Sequence, residues 1–145
     1  QEKRFKQKLV IWISRKGNYM KETLLLYHVA DDVQKDIKNI AEQLHIQIQY
    51  LDESQLHETM GHILNIDGFE KSEVQNISGD FQQEFVFFAG MSDKQLDIIL
   101  QLFRMQGIPK IPYKAMLTEH NVHYKFYQLY LSVADEYQQM SQINN

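Results

Sequence analysis

Phe88-Ala-Gly-Met-Ser92 sets a glycine and a serine where an apolar segment gives way to a helical pattern. Glycine lets a backbone approach a ligand closely, and the free amides of a helix start attract anions. In sheets built from alternating strands and helices, ligands bind beyond the carboxyl ends of the strands. Applied along this chain, that rule nominates His28 and Ala30, then Asp52, then Gly90 to Ser92, then Thr118 to Asn121. Lys114, flanked by Tyr113 and Ala115, supplies a cation within the last extended segment. Such a lysine meets an acid, pairs with a ligand carboxylate or phosphate, or snorkels from an edge strand. The candidate ligand residues are therefore His28, Gly90, Ser92, Lys114, Thr118 and Asn121, and the chemistry they suggest is recognition of a small anion.

No catalytic machinery is spelled out. Neither GxGxxG nor GxxxxGK[ST] occurs, and Ser92, His28 and Asp52 lack the elbow that would make a nucleophile of the serine. Six histidines raise the question of a metal. His57 and His62 diverge if both lie on one helix, and His120 with His123 and Glu119 lacks a third specified ligand. The reading implies no metal and no cofactor.

The 145 residues fit one domain, with 43% apolar and 23% charged residues in ordinary globular proportion. The absence of cysteine excludes disulfides and thiol chemistry, and it suits a reducing, cytoplasmic setting. No apolar run reaches the length of a membrane span, and none reads as an export signal. Charge is unevenly spread: residues 1–19 carry a net +5 and residues 20–145 a net −9. An acidic body argues against nucleic-acid binding. Residues 1–19 are read as a basic extension, either a translated leader preceding Met20 or an extra edge strand over Leu9–Ser14.

From Met20 onward, strand and helix patterns alternate. Thr23–Val29 and Glu84–Gly90 are nearly continuous apolar runs, as expected of strands covered on both faces. Ile46–Tyr50 alternates and belongs nearer an edge. Asp31 or Asp32 is expected to cap a first helix with Val33, Ile37, Ile40, Ala41 and Leu44 inward. Asp52 or Ser54 is expected to cap a second, with Leu56, Met60, Ile63 and Leu64 inward. Gly61 within it signals close packing or an early end. Residues 67–81 read as a long loop. Ser92 and Gln95 form a capping box for a third helix, which stops at Gly107. Pro109 and Pro112 place the following strand at an edge. Thr118 to Asn121 is expected to cap a long final helix. The fold class is α/β: a four-stranded, mostly parallel sheet with alternating β-α units, flanking helices and a long C-terminal helix.

Leu25-Leu-Tyr-His28, Gly61-His-Ile-Leu64 with Gly68-Phe69, Val86-Phe-Phe-Ala-Gly90, and Gly107 to Thr118 with Asn121 and Tyr124 carry a family resemblance. Residues 20–139 resemble a bacterial family catalogued only as a domain of unknown function. Tyr124 and Glu119 depart from the tryptophan and proline usual in that family, and the resemblance implies no catalytic residue. Two readings of function follow. The first is a non-enzymatic module for protein association, with a partner or a second copy, or for ligand sensing. It draws on the missing catalytic motif, the acidic body and the surplus tyrosines 124, 127, 130 and 137. The second is a binder of, or enzyme acting on, a small anionic molecule, which requires Gly90, Ser92, Lys114 and Thr118 to converge.

Overall fold

The computed structural model describes residues 20–143, in which four strands form one sheet in the order β2-β1-β3-β4. The expectations for residues 1–19 lie outside the described residues. β1 (Thr23–Tyr27) and β3 (Phe85–Ala89) hold the centre, and every residue of both is buried. Consecutive strand residues face opposite layers, so unbroken apolar runs belong where both layers are covered. β2 (Gln47–Leu51) and β4 (Tyr113–Met116) take the two edges, as the alternation in one and the prolines before the other predict.

The sheet is mixed rather than mostly parallel. β1 pairs parallel with β2, and β3 with β4, but β1 and β3 run antiparallel, with Thr23 opposite Ala89 and Tyr27 opposite Phe85. The reason lies between β2 and β3. A parallel return needs a crossover that carries the chain back along the strand length, usually a helix. Here that connection holds only a 3-10 turn (Glu53–Gln55) and the one-turn helix α2 (Met60–Ile63), so β3 enters from the end where β2 left off.

The long second helix is thus a correction. Asp52 does form its capping box with Gln55, but over the 3-10 turn alone. Beyond it three backbone bonds to distant chain interrupt the local ones. Tyr127 N donates to Leu56 O, Phe126 N to Glu58 O and Met60 N to Tyr124 O, at 2.8–3.0 Å. Tertiary pairing overrides local helix preference in this segment.

Two equivalent units result. α1 (Asp31–Leu44) joins β1 to β2, and α3 (Asp93–Met105) joins β3 to β4. Right-handed connections put the helices of two antiparallel units on one face. Accordingly Ile37, Ile40, Ile99 and Phe103 pack together against Leu24, Leu26, Val86 and Phe88. The opposite face of the same strands, Leu25, Tyr27, Phe85 and Phe87, receives α4 (Phe126–Ile143) through Phe126, Leu129, Tyr130 and Val133. Two expected caps are corrected. Ala30, without a side-chain bond, precedes α1, and Asp31 and Asp32 sit in its first turn, where the helix dipole favours acids. Thr118 and Asn121 bond each other around a 3-10 turn (Asn121–His123), and extended Tyr124 delays α4 to Phe126.

Gly61 has a plain steric role. A Cβ there would lie 2.3 Å from the Phe69 ring, whose backbone carbonyl also accepts from His62 Nδ1 at 3.1 Å. The glycine lets the segment after α2 fold back flush on the helix. Gly61→Ala is expected to destabilise the protein by about 1–3 kcal/mol in urea titration, the usual range for overpacking. Adding Phe69→Ala should cost less than the two single changes summed. Strict additivity would show that the two residues are not in contact.

Candidate functional site

Antiparallel pairing at the centre divides the nominated residues between opposite ends of the sheet. His28 follows β1 at the end where β3 begins, and its Nε2 pairs with Glu53 Oε1. Gly90 and Ser92 follow β3 at the other end, beside the start of β1, where Lys21 O lies 2.9 Å from a Cβ built on Gly90. Positive φ at Gly90 (77°) explains the glycine there. Ser92 Oγ accepts from Gln95 N at 3.1 Å, and the Gln95 side chain accepts from Ser92 N at 2.8 Å, the capping box read from the sequence. Thr118 and Asn121 share their end with Gly90, but they satisfy each other, and Asn121 Nδ2 donates to Met116 O at 2.9 Å. Their polar atoms are engaged in fixing turns.

Lys114 lies elsewhere. It pairs with Val86 in the sheet register and so faces the α3 layer. There it lines a cavity of about 530 Å³, whose walls include none of the other nominated residues.

The two units explain why this cavity exists. α1 and α3 end in the same Schellman-type turn: Ile46 N donates to Ala41 O at 2.8 Å, and Ile108 N to Phe103 O at 3.0 Å. In each the preceding residue is left-handed, His45 at φ 58° and Gly107 at φ 74°. β2 then starts at once with Gln47, whereas β4 starts only after the additional Pro109-Lys-Ile-Pro112. That insert separates the end of α3 from the start of β4, with Ile108 and Ile111 buried against the sheet. Val86, Phe88, Leu100, Phe103, Ile108 and Ile111 line the space it leaves.

Three cations border these apolar walls: Arg104 in the last turn of α3, Lys110 in the insert, and Lys114 on β4. Among the described residues no aspartate, glutamate or histidine lines the cavity. Among the described residues none of the three is ion-paired to a carboxylate. Lys114 Nζ instead donates to Ile111 O at 2.9 Å. Burial first, and then the charge of Lys110, pushes its ammonium below the ordinary lysine pKa. In the register of the other unit the position of Lys114 is held by Ile48, opposite Leu24. The sheet therefore tolerates an apolar residue there, and the lysine is not a requirement of the fold.

A second polar cluster is structural. Buried Glu58 accepts from Ser72 N at 2.7 Å, and its other oxygen lies 3.1 Å from His62 Nε2. His57, which sequence spacing sets apart from His62, meets the same carboxylate at 3.9 Å, and its buried Nε2 has no hydrogen-bond partner. Among the described residues no group of three or more metal-ligating side chains is placed to hold an ion. No helix among them is long and apolar enough to cross a membrane.

All the cavity residues fall within one stretch of similarity. Residues 84–140 match the family model of a domain of unknown function, DUF3783. The match takes in the second unit and most of α4, including the quoted blocks Val86–Gly90 and Gly107–Thr118 with Asn121 and Tyr124. The blocks Leu25–His28 and Gly61–Phe69 lie outside it. No curated protein and no solved structure matches the chain.

Reading the sequence found Lys114 but missed Arg104, Lys110 and the apolar walls. Arg104 lies in the last turn of a helix, where cations are common, and Lys110 lies between two prolines, so neither type nor spacing singles them out. The depressed lysine is measurable. Between its folded pKa and the ordinary value of about 10.4, the unfolded chain binds more protons, so the Lys114 contribution to stability rises with pH. The stability of the wild type relative to Lys114→Met is expected to increase between pH 8 and pH 10 in urea titrations. A constant difference across that range would rule out the shift.

Proposed function

We propose that this protein is a non-enzymatic ligand-sensing module that binds a small anion in the cavity between α3 and β4. One observation carries the reading: three cations with no carboxylate partner among the described residues border an apolar cavity in a body of net negative charge. Cations set side by side repel one another, and Lys114 is also partly buried, a cost that a bound anion relieves. Apart from the amines of Lys110 and Lys114, the described walls offer no carboxylate, imidazole or hydroxyl to act as general acid, general base or activated nucleophile. Such a lining supports binding of an anion, and no second catalytic group stands beside the lysines among the described walls. The absence of cysteine suits action in a reducing bacterial cytoplasm.

This reading keeps the anion of the sequence-based alternative but moves its seat. Lys114 contributes, and Gly90, Ser92, Thr118 and Asn121 serve as turn and cap residues. The test uses 8-anilinonaphthalene-1-sulfonate, an apolar anion whose fluorescence rises on leaving water. Saturable one-to-one binding is expected, weakening as salt screens the cations. Replacing both Arg104 and Lys114 by glutamine should lower affinity by about tenfold or more, since a charge-assisted hydrogen bond contributes about 1.5–3 kcal/mol. Both positions are at least partly open to solvent, so the fold should survive, as circular dichroism would check. Equal affinity in the wild type and the double variant would refute anion binding at this cavity.

A further inference from the structure

We infer that the ligand of this cavity is a monocarboxylate with an apolar body, of the kind of a medium-chain fatty acid or an alkyl-substituted aromatic acid. The inference rests on the anion-binding reading above and adds the chemical class of the ligand. It follows from what the walls can and cannot satisfy.

The cavity volume of about 530 Å³ falls within the range of small-molecule sites. Apart from the three cations, its side chains are aliphatic or aromatic hydrocarbon, proline or glycine. A sugar or nucleoside would bring several hydroxyl or ring polar groups against surfaces with no matching donor or acceptor side chain. Each such group left unpaired on leaving water weakens binding. The ligand body must therefore be hydrocarbon, with its polar atoms confined to one end.

The head group is constrained by the same elements. Phosphate sites are commonly built on helix N-termini and successive backbone amides. This cavity lies at the opposite pole of α3, where the helix dipole is negative and most unfavourable to a dianion. Pro109 and Pro112 leave the insert two amide donors short. What remains is a planar guanidinium on Arg104 and two ammonium groups. A guanidinium fork matches the two oxygens of a carboxylate, and Lys114 can exchange its Ile111 carbonyl for the ligand.

Titration calorimetry on the full chain tests this with four probes below their aggregation limits: decanoate, decan-1-ol, acetate and inorganic phosphate. Decanoate should bind one-to-one, at least about tenfold tighter than decanol and far tighter than acetate, and Arg104→Gln should remove most of its advantage over decanol. Methyl resonances of Leu100, Ile108 and Ile111 should shift on titration, locating the body in this cavity. Phosphate binding that needs Arg104, with decanoate inert, would overturn the carboxylate class and leave the anion reading standing. Decanol binding as tightly as decanoate, or no binding of any probe, would overturn both.

Discussion

The antiparallel pairing of β1 with β3 is the constraint on which the remaining structure depends. Both strands are buried on both faces, so each needs two covering layers, and pairing them fixes where those layers come from. Once Tyr27 lies opposite Phe85, right-handed connections send α1 and α3 to one face together. The other face is left to α4 and to the chain around α2. The same pairing turns the carboxyl ends of β1 and β3 to opposite ends of the sheet. A crevice collecting every strand end, as in an all-parallel sheet, is thereby excluded.

The second face is held by a different balance of forces. Phe85, Phe126, Tyr130 and Tyr27 meet mostly edge-to-face, with ring centroids 4.9–6.4 Å apart. Such contacts add to the area that burial already contributes. The phenols also hold the long segment preceding β3. Tyr27 OH donates to Phe81 O at 2.6 Å, and Tyr130 OH accepts from Gln83 N at 2.9 Å. Burial raises the pKa of both phenols, keeping them neutral and able to serve as these ties. Glu58 pins the same segment further upstream through Ser72. A stretch without regular structure thus keeps its place through side-chain bonds from its neighbours.

Much of this fold is legible in the residues. Unbroken apolar runs mark β1 and β3 as central, alternation and prolines mark β2 and β4 as edges, and the Ser92–Gln95 pair marks the start of α3. Gly61 signals both the close approach and the short helix that occur. What the sequence leaves hidden is non-local. The hydrogen bonds that break the expected second helix come from residues 124–127, far along the chain, and no local pattern announces them. Strand direction at the centre is hidden for the same reason, because apolar periodicity is identical for parallel and antiparallel partners. The candidate site shares that limit. Lys114 stands out as a charge inside a strand, whereas Arg104 and Lys110 acquire meaning only when the Pro109–Pro112 insert brings them beside it.

That insert makes the cavity separable from the scaffold. The unit built around α1 joins helix to strand without it, so the frame stands on the shorter connection alone. Changes of length or composition between Gly107 and Tyr113 fall on a sheet edge and beside no central strand pairing. They can therefore reshape the cavity, whose floor is Val86 and Phe88 of β3, while leaving the strand pairing and the aromatic layer on the other face in place. Of the two halves, one preserves the minimal geometry and the other is free to vary. A fold of this kind can alter its cavity through one connector, provided the buried places of Ile108 and Ile111 stay apolar.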